Sequence, residues 1–197
     1  MPLTTMTARL RPGDVVEVKS PEEILLTLDA DGTLDRLPFM PEMMEFCGRR
    51  FPVSKRVVKT CTSGTKAGSS MRVFRTDDVF LLDGLRCSGA DHDGCQKACT
   101  IFWREAWLRK VQESAAPPKF SLEESRELRA RLKTKRDPQT YFCQASELLN
   151  ATNHMSRRER FTKCLSEIRV GNYSAWQMAN QIAIWLIWRI RRLFLGA

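Results

Sequence analysis

The chain has 197 residues, of which 43% are apolar and 28% charged, with a formal net charge of +9. This composition excludes wholesale disorder, and the length suits one large domain or a domain with an appendage. The charge is uneven: 17 Lys and Arg face 15 Asp and Glu in residues 1–111, whereas 15 face 8 in residues 112–197.

The basic C-terminal part is therefore where anionic lipid, nucleic acid or an acidic protein would dock. The N-terminal residues carry no apolar core and no small-residue cleavage site, so no secretory signal is expected. Seven cysteines, an odd number, without an export signal point to a reducing compartment, with the cytoplasm as the expected location. Such thiols serve as ligands or as buried apolar groups more readily than as disulfide partners.

In chain order, Pro12-Gly13-Asp14 reads as a turn, and the alternation of Val16 and Val18 as a half-buried strand. Ser20, Pro21 and Glu23 make a capping box that opens a short helix. The Asp29-Ala30-Asp31-Gly32 turn resembles only the first half of a calcium loop, because the later ligands are missing. Pro38 and Pro41 limit residues 34–46 to a single helical turn starting at Pro41. Residues 51–61, 73–74 and 79–87 read as strands, and residues 62–70 as a polar, mobile loop. From Gly94 to Val111 the spacing of Ile101, Trp103, Trp107 and Leu108 predicts a helix. Ala115, Ala116, Pro117 and Pro118 form a linker. Four helices are expected beyond it: one capped by Ser121, one starting at Asp137-Pro138 and running to Leu149, one capped by Ser156 and ended by Gly171, and one from Ser174 to the C-terminus.

Short strands separated by turns over the first 80 or so residues favour a small, strongly bent barrel. The segments Pro12-Gly13-Asp14-x-Val16-x-Val18 and Cys47-Gly48-x-x-Phe51-x-Val53 resemble the SH3-like barrels of KOW-type modules and of the nitrile hydratase β subunit. More of the chain, roughly residues 10–111, resembles a family of uncharacterised bacterial proteins. The likeness lies in Leu10-Arg11-Pro12-Gly13-Asp14, Glu22-Glu23-Ile24, Thr27-Leu28-Asp29, Pro41-Glu42-Met43, Cys47-Gly48 and Phe102-Trp103-Arg104-Glu105-Ala106-Trp107-Leu108. That resemblance implies a shared architecture with four or more cysteines and no particular chemistry. The expected fold is thus α+β: an SH3-like barrel over 10–111 closed by a helix, then a basic helical extension over 119–197.

Cys47, Cys61, Cys87, Cys95 and Cys99, with His92 among them, are the candidate metal ligands. Turn residues flank them, as suits loops gathered at one rim of a barrel. No Cys-x-x-Cys pair is present, so neither a zinc-knuckle nor a ferredoxin signature applies. Four thiolates suit zinc or an iron–sulfur cluster equally. Buried thiols and a redox-active pair are the competing readings. The expected ligands are Cys47, Cys61, Cys87 and Cys95, with Cys99 and His92 as substitutes. His92, between two aspartates, otherwise reads as a solvated loop side chain. Cys143 and Cys164 have apolar helical settings that suggest core packing, although Cys143 would approach the site if the helical part folded back. No nucleotide-binding, hydrolase or metalloprotease motif is present.

Residues 176–195 combine three tryptophans, many aliphatic side chains and Arg189, Arg191 and Arg192. The uninterrupted apolar run, residues 182–188, is far shorter than the roughly 20 residues that span a bilayer. Packing on a protein partner or in a homo-oligomer is one expectation, and peripheral membrane association is the other. Nucleic-acid binding lacks a motif. The sequence therefore reads as a non-catalytic metal-binding accessory protein. The alternatives are an iron–sulfur electron carrier or redox sensor serving a membrane-proximal enzyme, and a nucleic-acid-binding barrel module.

Overall fold

A computed structural model describes residues 9–62, 70–111 and 120–195 and divides the chain into two compact units, Met1–Met155 and Ser156–Ala197. The first eight residues, most of the loop expected over 62–70 and the whole of the expected linker lie outside the described residues.

The first unit mixes helix and strand, as expected of an α+β chain. Its strands are β1 (Val15–Val18), β2 (Thr33–Leu34), β3 (Leu37–Pro38), β4 (Arg50–Arg56), β5 (Thr60–Thr62), β6 (Ser70–Phe74), β7 (Val79–Leu82), β8 (Trp103–Arg104), β9 (Leu108–Lys110), β10 (Lys135–Asp137), β11 (Thr140–Tyr141) and β12 (Thr152–His154). Its helices are α1 (Pro21–Leu25), α2 (Leu122–Arg131) and α3 (Gln144–Ala151), with 3-10 turns at Pro41–Phe46 and Glu105–Trp107. Both expected caps of this unit form: Ser20 Oγ accepts from Glu23 N at 3.3 Å, and Ser121 Oγ accepts from Glu124 N at 3.1 Å.

The principal sheet is antiparallel, in the order β8-β7-β4-β1-β9. Its two edge strands, β8 and β9, are consecutive in the chain and separated only by Glu105–Trp107. A flat sheet would hold those edges about 19 Å apart at roughly 4.8 Å per strand. Three 3-10 residues rise only about 6 Å, so the sheet is strongly curled. Among the described residues no strand pairing joins β8 to β9 and closes it into a barrel.

Trp103 and Trp107, fully buried, flank that turn and pack edge-on against Phe39. Burying each indole contributes about 4–6 kcal/mol at roughly 25 cal/mol per Å². Arg104 lies between them, also without exposure. It donates to Asp78 Oδ1 at 2.6 Å and to the carbonyl of Leu34 at 3.1 Å, fastening the β2–β3 hairpin to the sheet edge.

Two expectations change here. The helix expected from Gly94 to Val111 is instead a series of turns followed by β8, a 3-10 turn and β9. Ile101, Trp103, Trp107 and Leu108 are buried as the helical reading required, because the same spacing also fits a strand broken by one tight turn. The helix expected at Asp137-Pro138 begins only at Gln144, since Pro138 sits in the turn of the β10–β11 hairpin. The first compact unit extends to Met155. Leu128 and Leu132, at the end of α2, and Leu148 and Ala151 of α3 belong to its hydrophobic core.

The second unit consists of α4 (Arg157–Arg169) and α5 (Ala175–Leu195). Ser156 caps α4 with a full capping box, and Gly171 ends it at φ 84°. Ser174 Oγ accepts from Gln177 N at 3.1 Å, capping α5. No helix among the described residues is long and apolar enough to cross a membrane.

Candidate metal centre

Residues 84–100 form a pinched loop between β7 and β8. Arg86 and Thr100 bridge its neck, and Cys87 N donates to Cys99 O at 2.9 Å. Inside the loop, the amides of His92 and Gly94 both donate to the carbonyl of Gly89, and Cys95 N donates to His92 O. Gly89 is required there: its φ is 74°, and a Cβ would lie 2.1 Å from the carbonyl oxygen of Cys95. This backbone network keeps Cys87, His92, Cys95 and Cys99 on one compact loop.

The loop is covered from two sides. Arg129 of α2 donates to Asp91 Oδ1 at 2.6 Å, and the Tyr141 hydroxyl of β11 bonds Asp93. The rings of Tyr141 and His92 meet edge-on at 5.4 Å. His92 is consequently only 4% exposed, which corrects the expectation of a solvated side chain: the aspartates on either side face outward to Arg129 and Tyr141 and turn the imidazole inward.

Beneath the loop lies Glu42, from the first 3-10 turn and 7% exposed. The Cys87 thiol donates to its Oε1 at 2.9 Å, and His92 Nδ1 lies 3.4 Å from the same oxygen. Glu42, Cys87 and His92 offer ligand atoms that all lie within 4.8 Å of one another. Glu42 Oε2 and His92 Nε2 are buried and have no hydrogen-bond partner. Buried polar atoms without a partner are costly, and a bound ion or water is one way to satisfy them.

A cavity of about 350 Å³ opens beside this group, lined among others by Cys87, His92, Cys95, Cys99 and Cys143. Cys143 precedes α3, and its amide donates to Ser146 Oγ at 3.0 Å. The neighbouring Gln144 clamps the start of α3 onto the sheet unit. Its Oε1 accepts from Phe102 N at 2.7 Å, and its Nε2 donates to Phe102 O at 2.8 Å and to Pro38 O at 3.0 Å.

Burial, and then the hydrogen bond to the Glu42 carboxylate, push the Cys87 thiol up to about 12. Burial and the nearby thiols of Cys143 and Cys95 raise Cys99. The residues Cys87, His92 and Glu42 are those of a cysteine-protease-like triad, but here the carboxylate lies between thiol and imidazole. It holds the thiol protonated, which is the reverse of nucleophile activation. Soft thiol donors gathered around a cavity, with an unpartnered imidazole nitrogen, suit a thiophilic metal.

The structure brings Cys87, His92, Cys95 and Cys99 together and adds Cys143 and Glu42. It does not bring Cys47 or Cys61 to the cavity. Cys47 is buried in the hydrophobic core, which pushes its thiol up to about 12, and Cys61 is exposed on β5. Cys164 is exposed on α4. Glu42 carried no sequence signal beyond its place after Pro41. Cys143 carried one in the possibility that the later segments fold back on the loop.

Comparison with protein-family models, with curated proteins and with solved structures gives no match. The functional reading therefore rests on these side chains alone.

Proposed function

We propose that this chain is a metal-binding accessory protein whose metal is held in the cavity by Cys87, Cys95, Cys99 and Cys143. The observation that carries this reading is the convergence of four thiols from two separate segments on one cavity. Their spacing favours an iron–sulfur cluster over a single zinc ion. Tetrahedral zinc, with Zn–S near 2.3 Å, draws its sulfurs within about 4 Å of one another. Among the described residues, the only group of three or more potential ligands that close is Glu42, Cys87 and His92. Thiols spread around a cavity suit a polynuclear centre. The raised Cys87 thiol argues against a nucleophilic role, and a metal bound there would have to displace its proton.

A second reading places one zinc ion on Glu42, Cys87 and His92, favoured by their mutual closeness and by the unpartnered Glu42 Oε2 and His92 Nε2. Elemental analysis and visible absorption of protein purified without air separate the two. Iron with sulfide and a brown colour, lost in Cys143→Ser and kept in Cys164→Ser, support the cluster. Stoichiometric zinc that survives Cys143→Ser and is lost in Glu42→Gln supports the second reading. Protein free of both metals under these conditions overturns both.

From the curled five-stranded sheet we infer an SH3-like barrel. Its strand order and the short turn joining the edge strands support that inference.

A further inference from the structure

We propose that α5 is a docking helix for the surface of an anionic lipid bilayer. Residues 182–188 are all apolar and make almost two full turns, so their apolar surface runs around the whole helix. None of that surface is covered: Ile182, Ile184, Trp185, Leu186, Ile187 and Trp188 are all exposed, Trp188 by 67%. A protein helix packed alongside would cover one stripe and leave the opposite side in water. A helix sunk about 5–10 Å into the headgroup and acyl boundary, a depth close to its own diameter of about 10–12 Å, covers much more than one stripe.

The segment is too short to go further. Residues 182–188 span about 10 Å of helix, against roughly 30 Å of hydrocarbon. Polar side chains bound it at both ends: Asn180 and Gln181 before, Arg189 and Arg191 after. Trp185 and Trp188 lie within it, and the Arg189 guanidinium stacks over the Trp185 ring at 5.2 Å. Such a pair places an amphipathic indole and a cation together, at the depth where headgroups meet acyl chains.

Charge selects the kind of surface. α5 contains no Asp or Glu, and residues 156–197 hold eight Lys and Arg against two Glu. Cations on an interfacial helix draw it to phosphatidylglycerol-type headgroups and are repelled from a second copy of the same helix. The proposal is independent of the metal centre, because it uses only residues of the second unit.

The test uses the full chain and vesicles of phosphatidylcholine alone or mixed equally with phosphatidylglycerol. The protein is expected to sediment with the anionic vesicles, with tryptophan emission shifting to the blue, and to be released as salt rises. Arg189→Gln with Arg191→Gln is expected to weaken partitioning more than roughly tenfold. Trp185→Ser with Trp188→Ser is expected to abolish the emission shift while the near-ultraviolet dichroism of the buried Trp103 and Trp107 persists. Three results overturn the proposal: no sedimentation with either vesicle, equal sedimentation with both, or a lipid-indifferent dimer that shields Trp188. The last assigns this face to a second copy of the chain.

Discussion

The Cys87 thiol and the Glu42 carboxylate, 45 positions apart in the chain, are joined by one 2.9 Å hydrogen bond under the cysteine loop. Thiol protonation is favoured there both by burial and by the nearby negative charge. In metal-free protein, Glu42→Gln should therefore let Cys87 ionise at lower pH. Alkylation of Cys87 at pH 9, followed by mass spectrometry of its peptide, is expected to accelerate, roughly tenfold for each unit the thiol moves. An unchanged rate would mean that burial alone sets the thiol.

The two glycines of the loop should respond differently to alanine. A Cβ at Gly89 would meet the Cys95 backbone, at 2.1 Å from its carbonyl oxygen, whereas a Cβ at Gly94 would meet nothing within 4 Å. Gly94→Ala costs only the positive-φ strain, about 1–2 kcal/mol. Gly89→Ala adds a clash with backbone, for a total of roughly 2–5 kcal/mol. Metal content should fall in Gly89→Ala and persist in Gly94→Ala.

Gln144→Ala tests the clamp that positions Cys143. The substitution strips partners from the buried amide and carbonyl of Phe102 and from the carbonyl of Pro38. Urea denaturation should show a loss of about 2–4 kcal/mol. Gln144→Glu keeps an acceptor for Phe102 N but aims a buried carboxylate at the carbonyls of Phe102 and Pro38, so it should destabilise at least as much as Gln144→Ala at neutral pH and recover in part as pH falls.

Cys47 predicts an alkaline limb of stability. Its folded-state pKa of about 12 lies above the ordinary thiol value of 9.0, so its contribution is intact below pH 9 and is lost as pH rises towards 12. Cys47→Ala should cost about 1 kcal/mol at neutral pH through the volume it empties. Between pH 9 and 12 the variant should lose stability less steeply than the parent, as read from thermal midpoints.

The helix caps were legible because Ser20, Ser121 and Ser156 act within one turn of themselves, where sequence spacing is geometry. Buried positions such as Trp103 and Trp107 were legible too, but not their secondary structure, since short apolar patterns fit helix and strand alike. The candidate site was half legible. Cys87, Cys95 and Cys99 are held by local backbone bonds, while Cys143 and Glu42 reach it only through the packing of α3 and of the first 3-10 turn. Cys47 and Cys61, flanked by turns much as the others are, were indistinguishable from ligands until the chain was folded.

The pairing of β1 with β9 sets Val16 opposite Lys110, so the first strand of the sheet is paired with the last one made. At about 5–20 residues per second, synthesis leaves β1 without that neighbour for roughly 5–20 s. During this interval its Val16 and Val18 side chains, fully buried once folding is complete, are exposed to any chaperone or aggregation-prone segment nearby. The cysteine loop emerges in the same interval, before Cys143 and α3 have been made, so Cys87, Cys95 and Cys99 then face solvent without the segment that later lines their cavity.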